Sequence, residues 1–242
     1  MVIGHTPNRG VPPHDDAAGH TDQTTHIRVR TRVWVWWLAG GVLTVMGVGA
    51  LLTGMLLTST VTTRASSPAV VKDLTGHRVR PDGPTESPEQ LNVRPLGVRF
   101  SVPAVGLNVP VSTINAVNGQ LTPPGFTDAY VVGNMGVTPE KPTQGTVFVI
   151  MHSVRGGGTG PGNYLINVSS GTATVAPGDT VTLGNDTYTV TGAKTELKTT
   201  VPTDAALWAN TPGRLVIITC MQLPTHAEST HNLIITATLT TT

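Results

Sequence analysis

From Val98 onward the chain is a succession of short runs rich in Val, Ile and Thr, each bounded by Gly, Pro or Asn: VRFSV, NVPVSTI, TVFVIMH, TYTVTGAK, RLVIITC, NLIITATL. No long segment repeats its apolar residues at helical spacing. Punctuation roughly every 8–15 residues predicts an all-β domain, a barrel or sandwich. About 145 residues, 98–242, is enough for one domain with a single core. The exception is Pro202–Asn210, where Thr203 or Asp204 is placed to cap one helical turn.

The N-terminal part has a different texture. Val33 to Leu57 is 25 residues without a charge, and a bilayer core needs only about 20. Trp34, Trp36 and Trp37 stand at its leading edge, where amphipathic rings settle at the headgroup level. Arg28, Arg30 and Arg32 precede the span, and the next cation beyond it is Arg64. The positive-inside rule therefore predicts a single-pass protein of the cell membrane, with its N-terminus cytoplasmic and the following domain extracellular. The apolar stretch is too long for a cleaved signal peptide, and Thr63-Arg64-Ala65 is a poor cleavage site. Residues 1–32 read as a disordered cytoplasmic tail, whose four scattered histidines lack metal-site spacing. Residues 58–97, rich in Pro, Ser, Thr and charge, read as an extracellular linker.

Two apolar runs close on reactive side chains. Leu215 to Cys220 ends on the only cysteine of the chain, and Val147 to His152 ends on a histidine. A lone cysteine is most often a small buried hydrophobe. Outside the cytoplasm, however, thiols tend to be paired, so an unpaired one beside a histidine suggests a nucleophile. A net charge of +1, 12% charged residues and 4% aromatics give no nucleic-acid surface. No CxxC, HExxH or clustered ligand set supports a metal, and no cofactor is implied. The glycine-rich stretch Arg155 to Gly162 lacks the Lys-Ser/Thr ending of a phosphate loop and reads as a loop beside His152. His226 and His231 read as solvated loop residues.

In order and spacing, residues 98–239 resemble the sortase transpeptidases of Gram-positive bacteria, nearest to the actinobacterial class E and F types. Val102-Pro-Ala-Val-Gly-Leu-Asn-Val-Pro-Val111 looks like the opening strands. His152 falls at the position of the catalytic histidine. Thr159-Gly-Pro-Gly-Asn-Tyr-Leu and Pro177-Gly-Asp-Thr-Val resemble the segments that follow it. Leu215 to Cys220 is similar to the Thr-Leu-any-Thr-Cys motif, with Thr219 and Cys220 matching. The resemblance implies a sortase-like closed β-barrel with short helices, preceded by one transmembrane helix.

It also implies a hydrolase-class cysteine transpeptidase. Its partners would be secreted proteins bearing a C-terminal LPxTG-like sorting signal, and a cell-wall precursor, a pilin or another amine acceptor. Cys220 would attack, His152 would transfer protons, and Thr219 would contact substrate. One position departs: Asn232 stands where the family carries an arginine. Either Asn232 or Arg155 then supplies the electrophilic role, or activity is lost. Arg214, at the far end of the Cys220 strand, is too distant. The alternatives are a degenerate peptide-binding module and a hydrolytic cysteine protease.

Overall fold

The computed structural model describes residues 71–79 and 86–241; the tail at 1–32 and the anchor at 33–57 lie outside the described residues. Two short strands, β1 (Val71–Lys72) and β2 (Arg78–Val79), pair antiparallel. Helix α1 (Pro88–Leu91) follows, closed by a capping box in which Ser87 and Gln90 bond each other's backbone N–H.

The barrel strands are β3 (Arg94–Val102), β4 (Leu107–Ile114), β5 (Ala129–Val132) and β6 (Thr146–Ile150). A small hairpin of β7 (Ile166–Asn167) and β8 (Thr172–Ala173) interrupts the series. Then come β9 (Thr180–Leu183), β10 (Asp186–Leu197), helix α2 (Ala205–Trp208), β11 (Arg214–Met221) and β12 (His231–Thr241). Eight of these close into an all-β barrel in the order β10-β12-β11-β6-β5-β4-β3-β9. The pairs β4–β5 and β6–β11 are parallel, and the others are antiparallel.

The globular part begins before Val98. β3 starts at Arg94, and Leu91 is buried at 1% exposure while its carbonyl accepts from Asn115 N at 2.7 Å. Burying one such side chain stabilises by about 1.5–3 kcal/mol, enough to hold a capped turn on the barrel. Further upstream, Asp73 accepts from the N–H of Thr159, and Leu74 N donates to Thr159 O. Much of what composition presents as linker is thus packed structure.

Apolar residues form two layers. One fills the barrel, with Phe100, Val149, Leu215, Ile217, Met221 and Leu233 among its members. The second covers the outer face of β5, β6, β11 and β12 with Phe148, Ile150, Val216, Ile218, Cys220 and Ile234. β11 therefore alternates between two buried layers, and for that reason its sequence is a continuous apolar run. α2 roofs part of the outer layer. Asp204 caps it by accepting from Leu207 N, Lys194 holds Asp204 at 2.5 Å, and the Trp208 ring lies 5.2 Å from Phe148.

Candidate active site

β6 and β11 run parallel in register, with Ile150 opposite Ile218 and Met151 N donating to Ile218 O at 3.1 Å. Beyond the paired residues, Ser153 Oγ, next to His152, donates to the Cys220 carbonyl at 2.6 Å, so the segments that carry the two residues stay adjacent. The pleat decides the face. Phe148 and Ile150 point into the outer layer, as do Ile218 and Cys220. Asn232 is the direct partner of Cys220 across the antiparallel β11–β12 pair. It shares the parity of Ile234, which also belongs to the outer layer. Cys220 and Asn232 thereby share one face, and the segment carrying His152 adjoins them at the same end of the barrel.

All three are enclosed. Cys220 is 6% exposed, His152 8% and Asn232 0%. Phe126 stacks on the His152 ring with centroids 4.3 Å apart and planes 20° from parallel. His152 Nε2 lies 2.9 Å from the Pro123 carbonyl oxygen. A carbonyl only accepts, so Nε2 carries the proton and Nδ1 is the basic nitrogen of the neutral ring. Burial pushes the imidazole down to about 3; the Lys198 charge acts in the same direction and the Pro123 carbonyl opposes it. His152 is accordingly neutral at physiological pH, with Nδ1 free of a proton.

The loop after His152 is shaped by close approaches. His152 O accepts from Gly162 N at 2.8 Å. A Cβ at Gly160 would sit 2.6 Å from that oxygen, and one at Gly162 would overlap Thr219 Oγ1. Asn163 Oδ1 accepts from both Val154 N and Gly160 N, closing the loop on itself. Asp73 ties the loop to the segment that stacks on the histidine: it bonds Thr159 N at 2.8 Å and bridges Phe126. Burial pushes the Asp73 carboxyl up, but bonds from Thr159, Thr75 and His77 outweigh it and hold the group at about 2.

Asn232 is the unusual member. Neither Oδ1 nor Nδ2 of its amide has a hydrogen-bond partner, although the residue is fully buried. An orphaned buried polar group costs about 1–3 kcal/mol, so such a group in a native core calls for a role beyond packing.

Thr219, Arg155, Arg214, His226 and His231 separate from this trio. Thr219 pairs with Leu233 of the barrel interior and lies fully buried beneath Gly162, on the face opposite the thiol. Direct substrate contact by Thr219 is not what this placement offers. Arg155 is exposed on the glycine-rich loop, three residues past His152. Arg214 is committed elsewhere: its guanidinium bonds the carbonyls of Ala206, Leu207 and Ala209 and closes the C-terminal end of α2. His226 is exposed, and His231 pairs with Met221 on the interior side. Residues that pattern reading missed, Pro123 and Phe126, sit in a proline- and glycine-rich segment that resembles any surface loop.

No family model matches the sequence, and no curated protein matches it. Among solved structures the chain is similar to sortases. Listeria monocytogenes sortase A is 22% identical over 60% of this chain and 86% of that one, with a TM-score of 0.42. A lid mutant of Corynebacterium diphtheriae sortase A is 17% identical over 62% and 73%, with a TM-score of 0.44. A Clostridium perfringens sortase D5 transpeptidase is 11% identical over 60% and 78%, with a TM-score of 0.41.

Proposed function

We propose that this protein is a membrane-anchored cysteine transpeptidase of the sortase type, with Cys220 as nucleophile and His152 as general acid–base group. The observation that carries the reading is the β6–β11 register. It sends the strand that carries the only cysteine and the strand that leads to a neutral buried histidine toward the same end of the barrel, where Ser153 bonds the Cys220 carbonyl and an unpartnered amide lies across from Cys220. The motif resemblance of residues 98–239 and the apolar segment at 33–57 supply the substrate class and the location.

In the first step Nδ1 of His152 takes the thiol proton as Sγ attacks the carbonyl carbon of a peptide bond. That bond lies in an LPxTG-like C-terminal sorting signal. The carbonyl oxygen becomes an oxyanion, and Asn232 Nδ2, freed of any competing partner, donates to it. Collapse breaks the C–N bond, the leaving amine takes the proton from His152, and a thioester remains on Cys220. An acceptor amine of a cell-wall precursor or a pilin then attacks the thioester. It gives its proton to His152 and on to the departing thiolate, so the free thiol is regenerated. Anchoring at the extracellular side of the membrane raises the effective concentration of an anchored substrate.

Peptide-library cleavage by the full-length protein, read by mass spectrometry with and without an added amine, tests the reading. Amine-dependent formation of a new amide supports it, whereas release of acid alone indicates a hydrolytic protease. Binding without any thioacyl adduct would make the protein a catalytically silent peptide-binding module. The uncharged Asn232 favours that second reading.

A further inference from the structure

The backbone ladder between β6 and β11 ends where Met151 N donates to Ile218 O, one residue short of His152 and two short of Cys220. Past that point the chain after β6 leaves the sheet while β11 stays paired with β12 through Met221, and side chains take over the connection between the two. Ser153 Oγ donates to the Cys220 carbonyl at 2.6 Å. Gln222 Nε2 donates to Ser153 O at 3.0 Å and to Ser153 Oγ at 2.8 Å. All three residues are buried, at 6%, 6% and 4% exposure.

The directions in this network are forced. The Ser153 carbonyl accepts only, so the amide nitrogen of Gln222 must face it. That nitrogen also donates to Ser153 Oγ, which leaves the single hydroxyl proton for the Cys220 carbonyl. One serine, covalently next to His152, is therefore bonded to the backbone of the nucleophile and to the side chain two residues beyond it. Bonds in such a chain polarise one another in a low-dielectric setting.

We infer that Ser153 and Gln222 are positioning residues that replace the missing ladder bonds and set the separation of the Cys220 thiol from the His152 imidazole. The inference rests on the proposed cysteine–histidine chemistry. Its second support is what the network leaves undone, since Gln222 Oε1 is buried without a partner. A side chain kept only for stability would not bury an orphaned acceptor, because an apolar residue of that size avoids the loss. The hydrogen bonds of both residues go to each other and to the Cys220 backbone. Both act on where the thiol and the ring stand, and a misplacement of about 1 Å at a reacting centre costs on the order of 10²-fold in rate.

Because Cys220 is the only cysteine, its alkylation by iodoacetamide in the full-length protein reports on the pair without any peptide substrate. The alkylation rate is measured for the parent and for His152→Ala, each with and without Gln222→Met or Ser153→Ala, alongside thermal unfolding. The expected result is that His152→Ala slows the parent strongly. In either brace-deficient background the same substitution has an effect reduced by about tenfold or more, the signature of coupled neighbours. Ser153→Thr, which keeps the hydroxyl donor, restores the coupling. If the variants lose thermal stability while the His152 dependence stays at the parent value, the two residues are structural only and the inference is overturned. If the parent shows no His152 dependence, the cysteine–histidine reading itself fails, and the brace fails with it.

Discussion

Cys220 and Asn232 are direct register partners across β11 and β12, and the amide of Asn232 is fully buried without a hydrogen-bond partner. Opposed residues in an antiparallel pair stand about 4.5–5.5 Å apart at Cα, so the amide is within reach of anything bound at the thiol. A neutral amide in this place can donate to an oxyanion or accept from a peptide N–H, but it brings no charge to either.

Replacing Asn232 therefore moves activity and stability in opposite directions. Asn232→Ala should lower turnover by about 10²–10³, the usual loss for one oxyanion donor. Asn232→Leu should abolish that donor too, while gaining about 1–3 kcal/mol by removing orphaned polar atoms. Steady-state kinetics and urea unfolding on the same two variants check both. Unchanged turnover in Asn232→Ala, with failure of Arg155→Ala, would move the electrophilic role to the loop arginine.

Cys220→Ala should abolish thioacyl adduct, cleavage and transfer together. Its small apolar replacement in a buried outer-layer position should shift thermal unfolding by only a few degrees, in line with the loss of one buried sulfur. Residual turnover, measured by mass spectrometry, would remove the nucleophile assignment.

His152→Ala should reduce turnover by about 10²–10⁴, the range for general acid–base help. The same residue makes a pH prediction. The unfolded chain takes up a proton at this histidine near pH 6.5, about the free value. The folded protein does not take it up until about pH 3. Stability therefore falls as pH drops through that window, since the unfolded state binds the extra proton. Urea midpoints at neutral and mildly acidic pH should separate the parent from His152→Gln, whose slope is flatter.

Asp73 has the opposite sign. Its folded carboxyl is held at about 2 against an ordinary 3.8. Its contribution is thus fully present above about 3.8 and lost as pH falls through about 2. Asp73→Asn turns an acceptor into a second donor facing Thr159 N, so it should destabilise by a constant amount from pH 5 to 8. The difference from the parent should shrink below about pH 3.8. Faster proteolysis within Gly156–Gly158 would mark loosening of the loop that follows His152.

What could be read in the chain was local. β-branched runs between glycines and prolines specify strands because each residue meets the pleat alone, and the helical turn capped by Asp204 was visible for the same reason. Cys220 and His152 stood out because each ends such a run. Their pairing depended on a parallel register between β6 and β11, 68 positions apart from His152 to Cys220, and no local preference encodes that choice. The packed stretches at 71–79 and 86–97 were hidden because their composition is polar while their attachment depends on a few buried groups, Asp73 and Leu91. Face was likewise undecidable. Thr219 and Cys220 are adjacent in the sequence, yet the pleat turns one toward Gly162 and the other toward the outer layer. The sequence determined which elements form and which side chains are available. The closed barrel alone decided which of them meet, because strand neighbours are set by long-range pairing and the burial of two apolar layers.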